Sequence, residues 1–150
     1  MRDRYREAQA LAMTQRSADV FYPGMNRLAA EMVTAGRGRR QTVPAAEIEA
    51  IRESLRDRLA SSPDFWSVVG QTELKMYEAL LGHTRGGLAA VADELLREFA
   101  EHHQRVSAPR LWSSVYDNAA FVLRREMASG AAADRKPAES LLDTLRRFAR

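Results

Sequence analysis

Residues Asp64 to Ala100 read DFWSVVGQTELKMYEALLGHTRGGLAAVADELLREFA, and this stretch decides the fold. Phe65, Trp66, Val69, Met76, Tyr77 and Leu80 recur at helical spacing and predict a buried face, while Ser67, Gln71, Lys75 and Glu78 form a polar stripe. Ser62-Pro63-Asp64 supplies a helix start, with a capping hydroxyl, a proline at the first position and an acid in the first turn. Gly82 ends the helix. Beyond the corner His83 to Gly87, a second helix puts Leu88, Val91, Ala92, Leu95 and Phe99 on one side and Asp93, Arg97, Glu98 and Glu101 on the other. The pair reads as an αα-hairpin.

Working outward, the same pattern repeats on both flanks. Toward the N-terminus, Pro44 opens a helix with Ile48, Ile51, Leu55 and Leu59 in a narrow stripe and Glu47 and Glu49 near its positive end. Before it, Phe21-Tyr22-Pro23-Gly24 starts a helix carrying Met25, Leu28, Ala29, Met32 and Val33, which stops at Gly36 before the basic loop Arg37 to Gln41. A further helix from Arg2 to about Gln15 has too small an apolar face to stand alone, and Ser17 to Asp19 break it. Toward the C-terminus, Ser107 to Pro109 open a helix with Trp112, Val115, Tyr116, Ala119, Val122 and Leu123 on its packing side. An Ala-rich loop follows Ser129-Gly130, and Pro137 starts a last helix bearing Leu141, Leu145 and Phe148. No alternating run bounded by hairpin-turn pairs signals a strand, so the fold class is all-α with about seven helices.

Size and composition bound the rest. A chain of 150 residues, 45% of them hydrophobic, builds one domain with a real core. Absence of cysteine excludes disulfides, thiolate zinc sites and thiol catalysis. The start MRDRYREAQALAM carries charges where a signal peptide needs an apolar core, and no apolar run approaches a membrane span, so a cytoplasmic protein with no membrane partner is expected. Residues 1 to 60 hold 11 basic and 8 acidic groups, 61 to 108 hold 4 and 7, and 109 to 150 hold 8 and 5. The basic excess sits at the two ends and is modest, which argues against a nucleic-acid partner.

The hairpins align as an internal repeat. With Tyr22, Trp66 and Trp112 set equivalent, the spacings are 44 and 46 residues, within the range of helical solenoids. Met25, Val69 and Val115 then coincide, as do Val33, Tyr77 and Leu123, all of them packing positions. The polar rows align too: Arg27, Gln71 and Asp117; Glu31, Lys75 and Phe121; Thr34, Glu78 and Arg124. The chain thus divides into a partial unit, 1–16, and helix pairs over 21–60, 63–104 and 109–150, which predicts a right-handed α-α superhelix.

Trp66-Ser67-Val68-Val69-Gly70 resembles the Trp-x-x-Leu-Gly opening of a tetratricopeptide repeat, with Val for Leu and with Glu73 where that repeat has Tyr. More closely, Tyr22-Pro23-Gly24-Met25-Asn26 and the Asp64-Phe65-Trp66 helix start resemble two motifs of the tetratricopeptide-like, TRAF-binding region of apoptosis-signalling MAP kinase kinase kinases and related bacterial signalling proteins. The similarity spans roughly residues 15 to 125. It implies a regulatory or scaffolding segment of a larger signalling polypeptide rather than a free-standing enzyme.

Candidate chemistry is sparse. Glu98 and His102 have the i, i+4 spacing of two metal ligands, but His103 points elsewhere, His83 sits in a corner and no third ligand is near, so no metal is expected. The serines have structural tasks to hand, Ser62 and Ser107 as caps among them, and no nucleophile elbow, phosphate loop or dinucleotide fingerprint occurs. No enzymatic activity and no cofactor follow. Trp66, Trp112, Tyr77 and Tyr116 read as core rather than as an aromatic ligand site. Asn26 and Asn118 can bond across helices or offer amides to a peptide.

The expected function is protein or peptide binding on the first helices of the repeats, with Arg27, Glu31, Gln71, Lys75, Glu78, Asp117 and Arg124 as contact residues. Two alternatives compete: nucleic-acid binding through Arg37 to Arg40 with Arg146, Arg147 and Arg150, and self-association through exposed repeat ends.

Overall fold

The computed structural model describes residues 20–34 and 43–150, together with Arg4 and Glu7. Apart from Arg4 and Glu7, which are helical, the expected helix over 2–15 lies outside the described residues, as do the break at Ser17 to Asp19 and the loop Arg37 to Gln41. Among those residues the protein is all-α, with six helices and no strand: α1 (Phe21–Thr34), α2 (Ala45–Ser61), α3 (Phe65–Leu81), α4 (Gly87–Arg105), α5 (Pro109–Ser129) and α6 (Ala132–Phe148). The chain divides into two compact units, with the division between Leu74 and Lys75 inside α3.

In the first unit, α1 and α2 pack together through Leu28, Met32, Ile48, Ile51 and Leu55, all buried. The Phe21 N–H, one of the unsatisfied donors at a helix start, donates to Ser54 Oγ of α2 at 3.0 Å. Gly70 of α3 allows a close approach, since a β-carbon there would stand 3.1 Å from Leu55 Cδ2. The cap of α3 differs from expectation. Asp64, rather than Ser62, accepts from the Ser67 N–H at 2.8 Å, and the Asp64 N–H donates to Ser67 Oγ at 3.0 Å. This reciprocal capping box withdraws Ser67 from the polar stripe and buries it. Val69, Met76 and Tyr77 are buried as expected, whereas Phe65, Trp66 and Leu80 stay half-buried.

In the second unit, α3 ends in a glycine stop. Gly82 has φ 82°, and the His83 N–H reaches back to the Glu78 carbonyl at 2.9 Å. Helix α4 buries Leu88, Ala92, Leu95 and Phe99. Helix α5 opens at Pro109 without a side-chain cap, so Ser107 does not serve as one; instead Trp112 Nε1 donates to the Val106 carbonyl at 2.6 Å. Trp112, Val115, Ala119, Val122 and Leu123 form its buried face, as expected, and Tyr116 remains half-buried. Helix α6 starts at Ala132, five residues before the expected Pro137, which lies inside it. The physical reason is Asp134. Its carboxylate is buried and accepts the Ala89 N–H of the first turn of α4 at 2.8 Å, so an extra turn of α6 serves as the cap that α4 lacks. Through this contact and through Ala138, Leu141, Leu142 and Leu145, α6 packs against both α5 and α4.

Candidate functional site

The seven expected contact residues fall into three environments. Arg27 and Glu31 are each only 4% exposed, and Arg27 Nη1 pairs with Glu31 Oε1 at 2.8 Å. The second Arg27 nitrogen pairs with Glu47 of α2. Both residues were expected to face a partner; the structure turns them into the helix interface, where a buried charge persists only with its counter-ion. Gln71 is exposed on α3. Lys75 and Glu78 are half-buried, and the Lys75 ammonium is held by Glu94 at 2.8 Å and by Glu98, both on α4. Partial burial pushes the Lys75 pKa down, but its hydrogen bonds to the two carboxylates outweigh that and raise it.

Asp117 and Arg124 remain open to solvent on α5. Between them, at four and three residues' distance, stands Phe121, which is 46% exposed. A helical face showing one large apolar side chain between an acid and a guanidinium is a place where a partner can gain contact area. Beside it, Tyr116 Oη accepts at 3.4 Å from Arg124 Nη2 and, also at 3.4 Å, from Arg146 Nε of α6. The Arg146 guanidinium carbon lies 5.8 Å from the Tyr116 ring centroid, and its Nη1 stands 3.3 Å from Asp143 Oδ1. Hydrogen bonding from Arg146 is the main cause of a Tyr116 pKa below the ordinary phenol value; desolvation opposes it, and the Arg146 charge and the Arg124 contact add to the lowering.

Each hairpin therefore has a polar contact from its first helix to its second: Arg27 to Glu47, Lys75 to Glu94 and Glu98, Tyr116 to Arg146. The first two match a cation with carboxylates. In the third, the second helix brings the cation and the first offers only a phenol and another arginine. Sequence reasoning placed Tyr116 in the core and Arg146 in the nucleic-acid alternative, and it set Phe121 in a polar row without singling it out. The signal for Phe121 was its register: an aromatic residue in the row whose other members are Glu31 and Lys75.

Two further groups stand apart. Glu73 is 6% exposed, its Oε1 has no hydrogen-bond partner, and burial pushes its pKa up to about 8. The His103 ring stacks on Phe148 at 4.1 Å with an interplanar angle of 10° and meets the edge of Trp112 at 5.6 Å, which makes it part of the packing at the end of α4. Burial lowers the His102 pKa, the nearby carboxylate of Glu98 opposing it. Among the described residues no group of three or more potential ligands could hold a metal ion, and no helix is long and apolar enough to cross a membrane.

The described residues place the chain among all-α proteins. Against protein-family models, curated proteins and solved structures, it finds no match.

Proposed function

We propose that this chain is a non-catalytic protein-interaction module, a tetratricopeptide-like right-handed solenoid that scaffolds a cytoplasmic signalling or regulatory protein, and that it docks its partner on the exposed face of α5. The observation that carries the reading is Phe121. A large aromatic side chain left nearly half-exposed and flanked by Asp117 and Arg124 has the anatomy of an interface anchor with a polar rim. Support for the repeat comes from α6, which packs on α5 and also on α4, as stacked second helices of successive repeats do. Gln71, Lys75 and Glu78 lie in the equivalent rows but contribute less, because Lys75 already has two carboxylate partners.

The test is affinity capture with the full chain and two surface variants, Phe121→Asp and Arg124→Glu. A protein held by the wild type and lost with both variants, at unchanged helicity and melting temperature, supports docking on α5. Equal capture by all three chains would refute it.

A further inference from the structure

The third hairpin leaves positive charge uncompensated, and this determines what can dock there. Arg124 is exposed, and among the described residues its partner is the neutral Tyr116 hydroxyl, at the long limit of a hydrogen bond. Arg146 shares that oxygen and has one carboxylate nearby, the exposed Asp143 at 3.3 Å, which solvent screens. Because each donor nitrogen lies 3.4 Å from the same oxygen, the two are less than about 7 Å apart. A carboxylate, with two oxygens that each accept charge-assisted bonds of about 2.8 Å, can bridge guanidinium groups so spaced. Cross-helix contacts in the other two hairpins, made from other register positions, already contain a carboxylate, supplied by Glu47 and by Glu94 and Glu98.

Resting on the interaction reading above, we infer that the partner is an acidic protein segment, which sets an Asp or Glu side chain between Arg124 and Arg146 and an adjacent apolar side chain on Phe121. Charge complementarity selects this occupant: residues 109 to 150 carry 8 basic groups against 5 acidic ones. The face also has a direction. Asp117 lies on the far side of Phe121 from Arg124, so an acidic residue is accepted at the Arg124 end and repelled at the Asp117 end. Tyr116 holds the two guanidinium groups toward one point and is not required to touch the partner itself.

The experiment is a selection of random 16-residue peptides displayed on phage, panned on the full chain at low ionic strength. Bound peptides are then measured by fluorescence anisotropy against Arg124→Gln/Arg146→Gln, Phe121→Ala, Tyr116→Phe and the control Arg135→Gln/Lys136→Gln, which removes equal charge elsewhere on α6. Expected are peptides enriched in Asp or Glu beside Leu, Phe or Trp. Their affinity falls tenfold or more in the Arg124/Arg146 and Phe121 variants, about twofold in Tyr116→Phe and not at all in the control. Peptides that depend on Phe121 but show no acidic enrichment, or no loss in the Arg124/Arg146 variant, overturn the acidic partner while leaving α5 as a docking face. Indifference to Phe121 as well overturns both. A single-stranded oligonucleotide that binds through Arg124 and Arg146 and displaces the peptides assigns the surface to nucleic acid and overturns the inference too.

Discussion

Raising the pH from 5 to 9 should destabilise the first unit through one residue, Glu73. Its carboxyl is buried in α3 with Oε1 unpartnered, and burial pushes its pKa up to about 8 from the ordinary 4.5. Between those two values the folded state keeps the proton and the unfolded state releases it. The folded state therefore binds more protons, and its stability falls as pH rises. The contribution is fully present below about pH 4.5, declines by about 1.4 kcal/mol per pH unit, and is lost once pH passes about 8. Over that window the total is about 5 kcal/mol, roughly 3 of it already gone at pH 7, which is comparable to the whole stability of a small domain.

Urea unfolding followed by circular dichroism at half-unit pH steps measures the slope directly. Glu73→Gln removes the titration, so the slope assigned to this group should vanish. The buried amide costs about 1–3 kcal/mol if unpaired, so the variant should be no more stable than wild type at pH 5 and more stable at pH 8.5. Glu73→Leu removes the polar atoms altogether and should exceed wild type in stability over most of the range. Identical pH slopes for wild type and Glu73→Gln would sink the reasoning, as would a Glu73 carboxyl carbon that titrates near 4.5 by NMR.

Four further outcomes follow from the packing. Asp134→Ala removes the acceptor of the Ala89 N–H and should lower stability by about 1–2 kcal/mol by thermal denaturation, with Asp134→Asn milder. Gly87→Ala should cost about 1 kcal/mol or more, because Gly87 has φ 63° and a β-carbon would lie 3.0 Å from Asp134 Oδ2. Arg27→Met removes the buried counter-ion of Glu31 and should destabilise by about 3 kcal/mol in urea titrations, whereas adding Glu31→Leu should recover part of the loss. Lys75→Ala, at a partly exposed bridge, should cost less than about 1 kcal/mol, and the difference should shrink in high salt.

Much of the helical framework was legible from periodicity, because each helix buries one face and the apolar residues must recur at its pitch. What escaped the sequence depends on partners far along the chain. Pro137 signals a helix start, but Asp134 meets Ala89, 45 residues earlier, and that contact repays the extra turn. Ser62 and Asp64 are both good caps, and Ser67, three residues after Asp64, decides between them. Arg27 and Glu31 read as surface charges because nothing local shows that Glu47 lies within reach of Arg27. Glu73 departs from the repeat pattern at a position where an aromatic is expected. That departure was visible, but its burial without a counter-charge was not.

The polar rows of the repeat show why register alone could not identify a recognition face. Each of the three hairpins carries a cross-helix polar contact, but from a different register position: Arg27 stands five residues after Tyr22, Lys75 nine after Trp66 and Tyr116 four after Trp112. Whether the contact is closed depends on the sign of what the second helix returns. Helices α2 and α4 return carboxylates to Arg27 and Lys75, so those faces are occupied from within. Helix α6 returns Arg146 to a face that already holds Arg124, and the shared Tyr116 hydroxyl brings no negative charge of its own while protonated. Two guanidinium groups gathered at one oxygen, beside an apolar ring that is 46% exposed, have among the described residues only the exposed Asp143 at ion-pair distance. Charge rather than register thus separates the third hairpin from the other two, and it is the ground on which we propose docking on α5 rather than on the central pair.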